Sequence, residues 1–148
     1  NAAAWMMPRE LLLNIGGFNP SFFHYGEDDN YINRLHHHSF KLILHPDCRV
    51  HHDREDRPKS SFFSDDKSKE RLFLLRISHP SNQTDAYQVL RQSKRNFWKK
   101  LIRGQKKKHI IESIHLSFME RNPIDDIVND RNVTKTLGSH FLQLEEPK

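Results

Sequence analysis

At 148 residues the chain is long enough for one domain with a core of its own or for part of a larger one. A hydrophobic content of 35% and a mean hydropathy of −0.83 imply a large polar surface, and the longest apolar runs, such as Ala2 to Met7, are far too short to span a bilayer. The net charge of +5 is uneven: nine of the 24 Lys and Arg residues lie between Arg91 and Lys108 with no acid among them, so the rest of the chain is net acidic.

In chain order, Pro8 stands just ahead of the apolar-rich stretch Arg9 to Ile15 and Gly16 just past it, which predicts a short helix packing through Leu11, Leu12 and Ile15. A glycine-punctuated aromatic loop follows, from Gly16 to Gly26. A second helix is predicted from near Asp28 to about His38, with Tyr31, Ile32 and Leu35 as its apolar stripe and Asp28 on the same stripe by three-and-four spacing. Lys41 to Leu44 and Cys48 to His51 read as short strands broken by Pro46 and Asp47. The charged, Pro58-containing segment after Asp53 marks a boundary, dividing residues 1–57 from a helical region at 58–148.

Four helices are predicted in that second region. The first spans Asp66 to Ile77 and stops at Pro80, and the second runs from an N-cap at Thr84 to Gly104. A third covers His109 to Met119, and a fourth is opened by Pro123 and closed by Gly138. The single cysteine, Cys48, excludes an internal disulfide and is compatible with a reducing cytosol. No basic-then-apolar leader opens the chain, and Asn1 in place of an initiator Met points to a segment of a longer protein.

The chemistry-bearing cluster is Glu27-Asp28-Asp29, placed directly after Phe22, Phe23 and Tyr25. Acids in a first helical turn are favoured by the free N–H groups there, typically by ~0.3 to 1 kcal/mol, so the triplet alone needs no catalytic role. Its context is more specific. Over about fifty residues, in order, come Trp5, the Pro8 to Ile15 helix, Gly16-Gly17-Phe18, Phe22-Phe23, Tyr25, Glu27-Asp28, Arg34, the Lys41 to Leu44 strand, Pro46 and Val50-His51.

This order resembles the second half of the catalytic domain of the family 2 glycosyltransferases. The resemblance implies an α/β fold, the C-terminal portion of a GT-A (nucleotide-diphospho-sugar transferase-like) domain with short strands, followed by a mostly helical tail. It implies transfer of a sugar from a nucleotide-diphosphate donor to a hydroxyl on a glycan or lipid-linked acceptor, with inversion, as in polysaccharide biosynthesis. Asp28 would be the base and Glu27 its neighbour, orienting the acceptor or supporting the loop. Trp5, Phe22, Phe23, Tyr25 and Asp29 are the candidate acceptor-pocket residues. Where the family commonly has a hydrophobic residue after the Glu-Asp pair, this chain has Asp29-Asn30, so Asp28 and Asp29 both stand as candidates to face the pocket.

The resemblance also implies Mn²⁺ or Mg²⁺, with His51 completing its coordination. The bland alternative for His51 is a solvated residue at a strand end. No Asp-x-Asp pair and no glycine-rich phosphate loop occur in the chain, so the main metal ligands and the donor site are expected upstream and this segment alone is expected to be inactive. A metallohydrolase built on His51, His52, Asp53 and Glu27 is a rival without a supporting H-E-x-x-H or C-x-x-C spacing. His36-His37-His38 cannot converge on one metal from a continuous helix and read as a polar helix end.

In the basic segment, Phe97, Trp98, Leu101 and Ile102 are ringed by Lys94, Arg95, Lys99, Lys100 and Arg103. Three readings fit this pattern: a helix lying in an anionic membrane interface, a helix packed on the body of the protein with its lysines solvated, and a nucleic-acid footprint. The first predicts a cytoplasmic protein held peripherally on the membrane, with Lys94, Arg95, Trp98, Lys99, Lys100 and Arg103 facing it. A non-catalytic basic module that binds anionic membrane or nucleic acid is the alternative function.

Overall fold

The computed structural model describes residues 4–22, 25–51, 65–83, 85–104 and 110–142. Its helices are α1 (Arg9–Ile15), α2 (Glu27–His37), α3 (Asp65–Ser78), α4 (Ala86–Ile102), α5 (Ile110–Arg121) and α6 (Ile124–Val133). Among the described residues there is no strand, which overturns the α/β, GT-A expectation: this part of the chain is all-helical. Both segments read as strands, at 41–44 and 48–51, lie fully on the surface, with Ile43 81% and Leu44 89% exposed. A strand persists only when its backbone N–H and C=O groups find a ladder partner. Here Phe40 packs against the core just before this stretch, and among the described residues the only backbone bond within 41–51 is the turn from Cys48 N–H to the His45 carbonyl.

Two apolar clusters hold the molecule together. The smaller joins Ile15 of α1 to Tyr31 and Leu35 of α2, with Trp5, Leu11 and Phe40 against it. The larger gathers Phe73, Leu74 and Ile77 of α3 with Phe118 of α5, Ile127 of α6, and Phe22 from the loop before α2. Phe22 thus carries the N-terminal segment into the helical core, so residues on both sides of the expected boundary share one apolar cluster. The chain also returns: Gly138 N–H donates to the Asn14 carbonyl at 2.6 Å, and Gly17 N–H to that of His140 at 2.7 Å.

Local chemistry sets the helix ends. Pro8 and Gly16 flank α1 as the sequence predicts, and α3 stops ahead of Pro80. Asp85 is the N-cap of α4, its carboxylate accepting Tyr87 N–H at 2.9 Å, whereas the expected cap Thr84 lies outside the described residues. The last helix ends at Val133, well before Gly138, where the hydroxyls of Thr134 and Thr136 take up the carbonyls of Arg131 and Val133. Two of the three consecutive histidines at the end of α2 make tertiary bonds, His37 to Ser81 Oγ at 2.7 Å and His38 to the Thr134 carbonyl at 2.9 Å.

Candidate functional site

The loop from Gly16 to Gly26 is fixed from several directions. Arg34, 1% exposed, donates to the Gly17 carbonyl at 2.6 Å and also to that of Ile15. Its guanidinium lies 5.1 Å from the Tyr31 ring centroid and 5.2 Å from that of Phe141. Burial pulls the Arg34 pKa down to about 10, against the opposing influence of Tyr31. Further along, Ser21 Oγ donates to Asp130 of α6 at 2.8 Å. Burial raises the Asp130 pKa, opposed by its bonds to Ser21 and Asn19.

The loop ends in two consecutive left-handed residues, Tyr25 with φ 62° and Gly26 with φ 98°. Gly26 is also approached closely by another helix, because a Cβ there would stand 2.9 Å from Cγ of Arg71 in α3. That double turn launches α2, whose N-cap residue Gly26 has no side chain to serve the first N–H groups. The helix supplies its own acids instead: Glu27 and Asp28 are half-buried, Asp29 is exposed, and Asp28 Oδ1 accepts Asp29 N–H at 2.9 Å. Between the two candidates for the base, Asp28 is therefore the more enclosed. Glu27 Oε2 is buried without a hydrogen-bond partner among the described residues, as is the Tyr31 hydroxyl.

The expected aromatic residues fall into two separate groups. Trp5, Phe18 and Tyr31 form a mutual cluster with ring centroids 5.2 to 6.2 Å apart, in which Phe18 is 44% exposed, Trp5 half-buried and Tyr31 fully buried. Tyr31 follows Asp28 by three residues and shares its helix face. In the second group, Phe22 and Tyr25 line an open cleft of about 210 Å³ between the loop and α3. Phe22 is a core residue that gives the cleft one edge, so it forms a wall and not a free stacking platform. Phe23 lies outside the described residues.

His51 is exposed, and among the described residues no three His, Cys, Asp or Glu side chains gather in a group that could hold a metal ion. Its donors do not by themselves fit the Mn²⁺ or Mg²⁺ that the resemblance implies. Of the rival hydrolase set, His52 and Asp53 lie outside the described residues.

On α4, Trp98 is 59% and Ile102 82% exposed, and Lys94, Arg95, Lys99 and Arg103 are exposed around them. Lys100 departs from that set. It turns onto α5 and donates to Glu112 at 2.7 Å, because α4 and α5 pack side by side and Glu112 is nearly covered. Among the described residues no helix is long and apolar enough to cross a membrane.

Sequence reasoning missed Arg71 and its neighbours on the cleft wall. The signal was present, since Lys67, Glu70, Arg71 and Leu74 have the spacing of one helix face, but it was hidden by reading α3 only for its apolar residues. Compared with protein-family models, with the curated proteins and with the solved structures, the chain matches none.

Proposed function

We propose that this chain is the acceptor-side part of a sugar-nucleotide-dependent glycosyltransferase in which Asp28 is the general base. The carrying observation is the pair Glu27-Asp28: two half-buried carboxylates at the end of a tightly held aromatic loop, Glu27 with a buried oxygen that no donor satisfies among the described residues. A buried acceptor atom left open costs about 1 to 3 kcal/mol, a cost that a substrate hydroxyl offsets by donating to it. Glu27 then orients the acceptor while Asp28 takes the proton from the hydroxyl whose oxygen attacks the anomeric carbon; the bond from that carbon to the diphosphate oxygen breaks, the nucleotide diphosphate leaves with its electron pair, and the sugar is transferred with inversion. General-base assistance of this kind contributes typically ~10²- to 10⁴-fold. The exposed edge of Phe18 beside half-buried Trp5 offers an apolar face for a sugar ring. The divalent cation that the resemblance implies needs ligands beyond His51. Transfer by the full-length protein from a panel of sugar nucleotides, with Asp28→Asn as the control, tests this assignment.

A second function is favoured by the outer face of α4, where exposed Trp98 and Ile102 stand among basic residues. That face suits peripheral docking on an anionic bilayer, alongside catalysis on a lipid-linked acceptor or as the chain's only role. Binding to vesicles with and without anionic lipid, in the presence of competing nucleic acid, separates these possibilities.

A further inference from the structure

We propose that the cleft lined by Ser21, Phe22 and Tyr25 on one side and α3 on the other binds an oxyanion, a carboxylate or phosphoryl group, carried by the acceptor, with Arg71 as its main ligand. The inference rests on the transferase reading for the word acceptor and on the cleft itself for the anion. Three cations, Lys67, Arg71 and Arg121, line the cleft against one carboxylate, Glu70. Glu70 is already held between two of them, Lys67 at 3.5 Å and Arg121 in a close pair. Among the described residues Arg71 has no acid within ion-pair distance, so its charge is the one left for a ligand.

The position of Arg71 follows from Gly26. Its aliphatic stem lies against that glycine, the residue immediately before Glu27-Asp28, so the stem anchors the guanidinium beside the turn that presents the acids. Phe22, Leu74 and Phe118 form an apolar floor, where a charge pair is screened less than in open water. Tyr25 lines the same cleft in a left-handed conformation that non-glycine residues rarely adopt, a backbone strain of the kind that clusters at ligand sites. A volume of about 210 Å³ is smaller than a typical whole-ligand pocket and suits one anionic group or a single sugar residue. Arginine's planar fork matches carboxylate and phosphoryl oxygens equally well, so the acceptor is assigned by its charge.

The test is direct binding, by ligand-observed NMR on the full-length protein. The probes are a glucuronate-terminated oligosaccharide, its glucose-terminated counterpart, a glucose-phosphate-terminated analogue, and inorganic phosphate alone. The expected result is at least tenfold tighter binding of both anionic saccharides than of the neutral one. Arg71→Gln removes that preference, Arg71→Lys retains part of it, and Arg121→Gln, which leaves the Gly26 contact untouched, weakens it. Equal binding of neutral and anionic saccharides, or a preference that survives Arg71→Gln in a folded variant, overturns the inference. Binding of inorganic phosphate with no preference between the saccharides overturns it as well. Asp28→Asn keeps the anionic preference whatever it does to transfer, so failure of the base assignment and failure of the cleft assignment are read separately.

Discussion

Arg34 reaches from the buried side of α2 to donate to the Gly17 carbonyl at 2.6 Å, tying the helix that bears the acids to the loop that precedes it. The same guanidinium serves the Ile15 carbonyl, so one side chain satisfies two carbonyls at the end of α1. Replacing it with Met leaves both without that donor. The expected loss is on the order of 3 kcal/mol in a denaturant titration, with Arg34→Lys recovering only part because an amine lacks the two-pronged fork. A loss under about 0.5 kcal/mol for Arg34→Met contradicts the clamp.

Gly16 and Gly26 both sit at positive φ, 86° and 98°, but they differ in what a methyl group would strike. At Gly16 it would meet the His140 carbonyl oxygen at 2.0 Å, a backbone atom, and at Gly26 the Arg71 side chain at 2.9 Å, which can swing away. Gly16→Ala is therefore expected to destabilise more than Gly26→Ala, with the latter costing ~1 to 3 kcal/mol from backbone strain alone. Thermal melts of the two variants side by side check the order. Gly26→Ala is further expected to impair transfer beyond its effect on stability, since it shifts the turn that holds Glu27 and Asp28.

These features divide the legible from the hidden. The ends of α1, the start of α2 and the stop of α3 were written in local chemistry: Pro8, Gly16, the acid triplet and Pro80 each act within a turn of the residues they govern. The strands at 41–44 and 48–51 were misread because an apolar run states a preference for burial and not the presence of a partner to pair with. Arg34 was noted only as part of a motif, and its fully buried role depends on the loop folding over it, which no spacing reveals. Lys100 reads like its neighbours until α5 brings Glu112 against it.

Acid is expected to weaken the fold through its histidines. Burial lowers the pKa of His115, which stacks on Phe73 at 4.0 Å, and the nearby Arg76 lowers it further against the pull of Glu112. Burial likewise lowers His79, with His37 and His36 adding to the effect. In both cases the unfolded chain takes up protons near the ordinary value of 6.5 while the folded one resists, so stability is fully present above that value and is lost as pH falls below it. Denaturant midpoints measured from about pH 7.5 to about pH 5.5 should fall, and His115→Gln should flatten the slope. The raised pKa of Asp130, held up first by burial, acts with the opposite sign.

For α4, sedimentation with vesicles containing phosphatidylserine is expected to show binding that weakens with salt. Neutralising Lys94, Arg95, Lys99 or Arg103 singly should reduce partitioning about fivefold each, and Trp98→Ala should reduce it without changing the salt dependence. Lys100→Gln should instead lower stability, because it removes the partner of Glu112 in a nearly covered pair. Indifference of binding to all four exposed cations would sink membrane docking by this face.

The most direct test of the central assignment is the transfer rate of the full-length protein with Asp28→Asn against wild type, at saturating sugar nucleotide and with Asp29→Asn alongside. Asparagine keeps the oxygen that accepts Asp29 N–H, so that bond is preserved while the proton-accepting carboxylate is removed. The account predicts a fall in kcat of ~10²-fold or more for Asp28→Asn at an unchanged melting temperature, with Asp29→Asn close to wild type. An active enzyme whose kcat is indifferent to Asp28→Asn would contradict it.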